Sequence, residues 1–163
     1  MGELKGREGG CLCGAVRYRL AEEPMYLQAC HCTDCQTISG GAFIINMWCV
    51  ESEVRFSGEE MVAWENVAGS GKGNEIFACP KCGTDIASKY EASTGRDIMV
   101  RAGTLDDARD IDPMTHIFVR SKQDWVRLPD DKPVFDAFYN LFEHWPEHSA
   151  ERFRRLMKET RGD

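Results

Sequence analysis

Apolar and polar positions alternate along this chain in short bursts. Val16, Tyr18 and Leu20 alternate with Arg17 and Arg19, and similar stretches recur roughly every 8 to 12 residues between Gly, Asn, Ser and Asp. The pattern predicts strands at 15–20, 26–29, 42–50, 53–56, 62–65, 75–78, 85–90, 97–102 and 115–120. Gaps this short leave no room for helical crossovers, so the expected class is mainly β and antiparallel. Two segments read as helix. One covers 33–40; the other opens at Pro146 and carries Ala150, Phe153, Leu156 and Met157 at helical spacing before Gly162. The aromatic stretch Phe135, Phe138, Tyr139, Phe142 and Trp145 is expected to pack over the sheet, with a substrate lid or a dimer contact as its other uses. With no repeat, linker or low-complexity tract, residues 1–163 read as a single domain, monomeric or homodimeric.

Composition removes several function classes. Asp and Glu number 27 against 20 Lys and Arg, a net charge of −7, so no basic footprint exists for a nucleic-acid backbone. The N-terminus is polar, with no apolar leader, and Gly6 stands where a myristoylation motif needs Ser or Thr. The apolar run Ala42–Ile45 stops at Asn46, far short of a membrane span. The expectation is a cytoplasmic protein that binds neither nucleic acid nor membrane. In a reducing compartment, clustered cysteines signal metal or redox chemistry rather than disulfides.

Seven of the eight cysteines are clustered: Cys11 and Cys13; Cys30, Cys32 and Cys35; Cys79 and Cys82. Thiolates this close in sequence converge on one tetrahedral ion, and zinc is the default for such donors. The two pairs make a closed four-sulfur structural site, with Gly9, Gly10, Gly14 and Gly83 easing the knuckles. The triplet leaves one position, to be filled by His31, Cys49, Asp34 or water. His31 lies between two ligands and reads as a supporting donor; Cys49 shares a strand face with Phe43, Ile45 and Met47 and reads as a buried thiol. The Cys79–Cys82 spacing also fits a redox pair, but Gly83 and Thr84 lead into a strand rather than a helix. Three thiolates make zinc a weak Lewis acid, suited to taking an incoming thiol and lowering its pKa.

The segments Gly9–Tyr18, Cys30–Cys35, Cys79–Thr84, Ala102–Asp107 and Pro113–Lys122 with Trp125 together resemble the glutathione-dependent formaldehyde-activating (GFA) family over about residues 8 to 136. Residues 137–163 form an aromatic and helical extension, and Phe77-Ala78 replaces the aromatic often found directly before Cys79. The resemblance implies a β-tent of small antiparallel sheets. It also implies two zinc ions: a structural one on Cys11, Cys13, Cys79 and Cys82, and a catalytic, labile one on Cys30, Cys32 and Cys35. The implied activity is a carbon–sulfur lyase of the S-(hydroxymethyl)glutathione synthase type, acting on a small thiol, glutathione first, and a small aldehyde such as formaldehyde. Arg17, Arg101, Arg120 and Lys122 are candidates for the thiol's carboxylates, and His116 for a proton shuttle, its other reading being a structural histidine. The competing functions are a non-catalytic zinc-binding β-tent interaction module and a thiol redox sensor.

Overall fold

The computed structural model describes residues 2–67 and 72–162. Among these are eleven strands and three α-helices: β1 (Glu8–Gly10), β2 (Val16–Leu20), β3 (Tyr26–Cys30), α1 (Thr33–Ser39), β4 (Ile44–Val50), β5 (Val54–Gly58), β6 (Val62–Val67), β7 (Gly73–Ala78), β8 (Asp85–Tyr90), β9 (Asp97–Arg101), β10 (Thr115–Ile117), β11 (Val134–Phe135), α2 (Leu141–His144) and α3 (Glu147–Arg161). The expected mainly β architecture with a short C-terminal helix is present. No helix among the described residues is long and apolar enough to cross a membrane.

The strands form a three-stranded sheet, β1-β2-β5, and an eight-stranded sheet, β11-β10-β3-β4-β9-β8-β7-β6. All pairings are antiparallel except those of β10 with β3 and with β11. Strand periodicity decides which face each side chain takes. Leu27, Met47, Cys49, Ile98 and Val100 point from the large sheet into a core shared with Val16, Tyr18, Leu20 and Val54 of the small one. Tyr26, Cys30, Trp48 and Met99 take the opposite face, where Trp145, Ala150, Phe153 and Leu156 cover them. The C-terminal extension therefore packs over the sheet, as its aromatic content predicted. Burial on both faces explains why β3 and β9 are buried at every position.

The strand expected at 115–120 ends at Ile117. Phe118 adopts φ 56°, a left-handed conformation that side chains with a Cβ seldom take, and Val119–Ser121 continue as a 3-10 turn. This reversal brings Phe118, Arg120 and Ser121 to the same face as Cys30.

Candidate metal centres and their cavity

Cys11 and Cys13 lie in the turn between β1 and β2, and Cys79 and Cys82 in the turn between β7 and β8. The two turns are built alike. Cys11 N–H donates to Val16 O and Gly14 N–H to Cys11 O, each at 3.0 Å; Cys79 N–H donates to Thr84 O at 3.0 Å and Gly83 N–H to Cys79 O at 2.9 Å. Gly14 (φ 78°) and Gly83 (φ 70°) supply the left-handed residue each reversal needs. All four sulfurs fall within 4.8 Å of one another. Sulfurs arranged tetrahedrally at the zinc–sulfur bond length of ~2.3 Å would lie about 3.8 Å apart. Cys13 Sγ is 3.6 Å from Cys11 Sγ and 3.8 Å from Cys79 Sγ, so the donor set fits zinc.

Backbone and hydroxyl groups donate to sulfurs of this cluster. Val16 N–H donates to Cys11 Sγ at 3.2 Å and Lys81 N–H to Cys79 Sγ at 3.4 Å. The Thr84 hydroxyl, 3.1 Å from Cys82 Sγ, leads the hydrogen bonds that lower the Cys82 thiol to about 5. Because β1–β2 belongs to the small sheet and β7–β8 to the large one, an ion held here ties two sheets together.

The triplet stands at the junction of β3 and α1. Cys30 ends the strand, Cys32 is the N-cap residue of the helix, and Cys35 sits in its first turn with its N–H 3.3 Å from Cys32 Sγ. These three sulfurs also lie within 4.8 Å of one another, a set that fits a soft divalent ion. Hydrogen bonds from the Cys30 and Cys35 thiols hold Cys32 far below the usual thiol range, while the contact with Cys32, and then burial, push Cys30 up to about 12.

No fourth protein ligand joins the triplet among the described residues. His31 is fully buried; its Nε2 lies 3.0 Å from His116 Nδ1 and its ring 4.9 Å from that of Phe43. Burial, then the neighbouring His116, lowers the His31 pKa to about 4. His116 is buried in this pair, lies outside the cavity wall and has its own pKa lowered by burial, so it is a structural histidine here. Cys49 lies in the inter-sheet core, its thiol 3.5 Å from Met47 O, with burial raising its pKa. Cys49→Ala is expected to cost about 1 kcal/mol and leave the zinc count unchanged, measured by denaturant titration and metal analysis. Loss of one zinc equivalent would make Cys49 a ligand.

The triplet opens into a cavity of about 560 Å³ on the covered face of the large sheet. Its floor is a polar row: Gln28 from β3, Asn46 from β4, Arg101 from β9 and Asn74 from β7, all buried. Arg101 Nη1 donates to Asn46 Oδ1 at 2.5 Å and its Nε to Asp85 Oδ2 at 2.9 Å. Burial raises the Asp85 pKa, and the adjacent arginine opposes this. Asn74 Oδ1 and Asp85 Oδ1 have no hydrogen-bond partner among the described residues. Of the four cationic candidates, Arg101 and Arg120 line the cavity. Arg17 instead pairs with Asp106, and Lys122 lies outside the wall. Sequence reasoning did not identify Gln28, Asn46 or Asn74 as site residues. Their signal was a polar side chain inside an otherwise apolar strand, as at Asn46.

The chain is similar to a protein of Rhodobacter sphaeroides known from a crystal structure, at 19% identity and a TM-score of 0.48, over 65% of this chain and 91% of that one. No curated protein matches the sequence. A family model described as "Glutathione-dependent formaldehyde-activating enzyme" matches residues 6–121, a span that holds every cysteine of both clusters. The chain belongs to the glutathione-dependent formaldehyde-activating enzyme family.

Proposed function

We propose that this protein is a zinc-dependent carbon–sulfur lyase-type enzyme that adds a small thiol, glutathione first among candidates, to a small aldehyde such as formaldehyde, or releases it from the adduct. The observation that carries this reading is the three-sulfur cluster, which no fourth protein ligand joins among the described residues, opening onto a cavity large enough for a substrate. Cys30, Cys32 and Cys35 hold the catalytic zinc, while Cys11, Cys13, Cys79 and Cys82 hold the structural one. An ion held by these three cysteines would offer a fourth position for a substrate sulfur and would lower that thiol's pKa toward neutral pH.

The remaining work falls to the cavity wall. Arg120, exposed at the rim with its guanidinium 5.9 Å from the Phe118 ring, offers a positive charge to a substrate carboxylate. The Tyr139 hydroxyl donates to Gln28 Oε1 at 3.2 Å, which orients that amide with its NH2 available to a peptide carbonyl. Arg101 is already neutralised by Asp85 and serves to fix Asn46 rather than to bind an anion. In the reaction the thiolate sulfur bonds to the carbonyl carbon. The C=O π pair moves to oxygen, which gains the proton the thiol lost, so no oxidant or reductant enters.

Exchange NMR with 13C-formaldehyde and glutathione tests the activity. Catalytic amounts of zinc-loaded protein are expected to speed adduct exchange at least a hundredfold over buffer, and Cys32→Ser to remove the effect. No acceleration by the loaded protein would overturn the enzymatic reading in favour of an interaction module.

A further inference from the structure

The cavity has two unlike sides, and glutathione and formaldehyde account for only one. Against the polar floor stands an apolar wall of Ile38, Trp48, Met99, Phe138, Leu141 and Phe153. Formaldehyde has one carbon and no side chain to place there. Glutathione is a charged peptide whose groups suit Arg120 and the floor amides. Phe138 is 48% exposed and Ile38 and Leu141 are half-buried; neither substrate covers them, and apolar surface left against water is a lost source of affinity.

This wall is rigid. Trp48 Nε1 donates to the buried Asp97 Oδ2 at 2.6 Å, so the indole presents carbon rather than N–H to the cavity. Its ring packs edge-on against Trp145 at 5.0 Å and Phe153 at 5.5 Å, and tilted against Phe138 at 6.3 Å. Trp145 Nε1 donates to the Tyr139 hydroxyl at 2.8 Å, which in turn holds Gln28, so wall and floor are braced together. Phe138, Leu141 and Phe153 lie beyond residue 121, where the family match ends. Half of the apolar side is thus supplied by the segment that follows the family match.

Register sets the length of the missing group. Cys30 pairs with Ile44 and Tyr26 with Trp48, so the strands separate the triplet from the indole by four residues, about 13 Å at the ~3.3 Å rise of a strand. Gln28 and Asn46 are paired midway.

We propose that the natural aldehyde carries an apolar substituent of roughly six to eight carbons, a chain or a ring with a short spacer, which runs from the sulfur site onto the Trp48–Phe138–Leu141–Phe153 wall. The proposal rests on the thiol–aldehyde reading above and names the aldehyde's class. Thioethers that cannot react separate the two claims. Calorimetric titration of the zinc-loaded protein with glutathione, S-methylglutathione and S-hexylglutathione is expected to give a Kd for the hexyl conjugate at least tenfold below that of the methyl conjugate. Leu141→Ser, at a half-buried wall position, is expected to shrink that ratio to threefold or less, its fold being checked by circular dichroism. Equal affinities for the two conjugates, with glutathione still binding, would overturn the apolar substituent and leave the thiol reading standing. A hexyl preference unchanged in Leu141→Ser would overturn the wall as its source. If none of the three compounds binds, both readings fall. The comparison between conjugates on the unmutated protein decides the question even if Leu141→Ser does not fold.

Discussion

Replacing Cys11, Cys13, Cys79 or Cys82 by serine is expected to unfold the chain at temperatures where the parent is stable. Structural zinc sites of this kind contribute about 10–16 kcal/mol of apparent binding energy to folding. A natural protein has only about 5–15 kcal/mol of net stability, so loss of the ion exceeds what the fold can absorb. The location sharpens the argument. The four-cysteine cluster joins the β1–β2 turn of one sheet to the β7–β8 turn of the other, and Cys11 and Cys79 are part of the core between them. Cys32→Ser should behave differently. Cys32 is half-buried and caps α1, and serine is a preferred N-cap residue, so the helix keeps its cap while the triplet loses a donor. A change of about 1 kcal/mol, or roughly 2–4 °C in Tm for a chain of this size, is expected there. Thermal melts and metal analysis of both sets check the division of roles. Equal collapse in both would contradict it.

What was legible in the sequence was local. A cysteine pair or triplet declares its geometry within a few residues, and both proposed ligand sets converge within 4.8 Å. Most of the expected strands lie where alternation put them, because alternation reports a face in contact with a core. The elements that escaped notice were too short to show a period: β1 has three residues, β11 two and α2 four. The parallel pairing of β10 with β3 joins segments far apart in the chain, and nothing in either strand encodes it. The predicted strand at 115–120 overran because periodicity carries no sign of the left-handed turn at Phe118.

The cavity was the least legible part. Its floor collects one polar residue from each of four strands, and its wall collects Phe138, Leu141 and Phe153 from the extension. Read singly, Asn46 only interrupts an apolar run and Phe153 only marks a helix face. Their meaning appears when β4 and α3 are brought together on the covered face of the large sheet. His116 shows the opposite case. A histidine in a recognisable segment invited a catalytic role, but its contact with the buried His31 uses it inside the protein.

The central claim is that Cys30, Cys32 and Cys35 hold a metal that accepts a thiol as its fourth ligand. Cobalt in place of zinc tests this directly, because its visible bands report how many sulfurs surround it. The account predicts two cobalt ions per chain, and a shift toward four-sulfur coordination when glutathione is added. Cys32→Ser should show no such shift. Apparent affinity should strengthen as pH rises toward the free thiol's ordinary pKa of about 8.5, since coordination releases the thiol proton. A spectrum left unchanged by glutathione, cysteine and 2-mercaptoethanol alike would contradict the account.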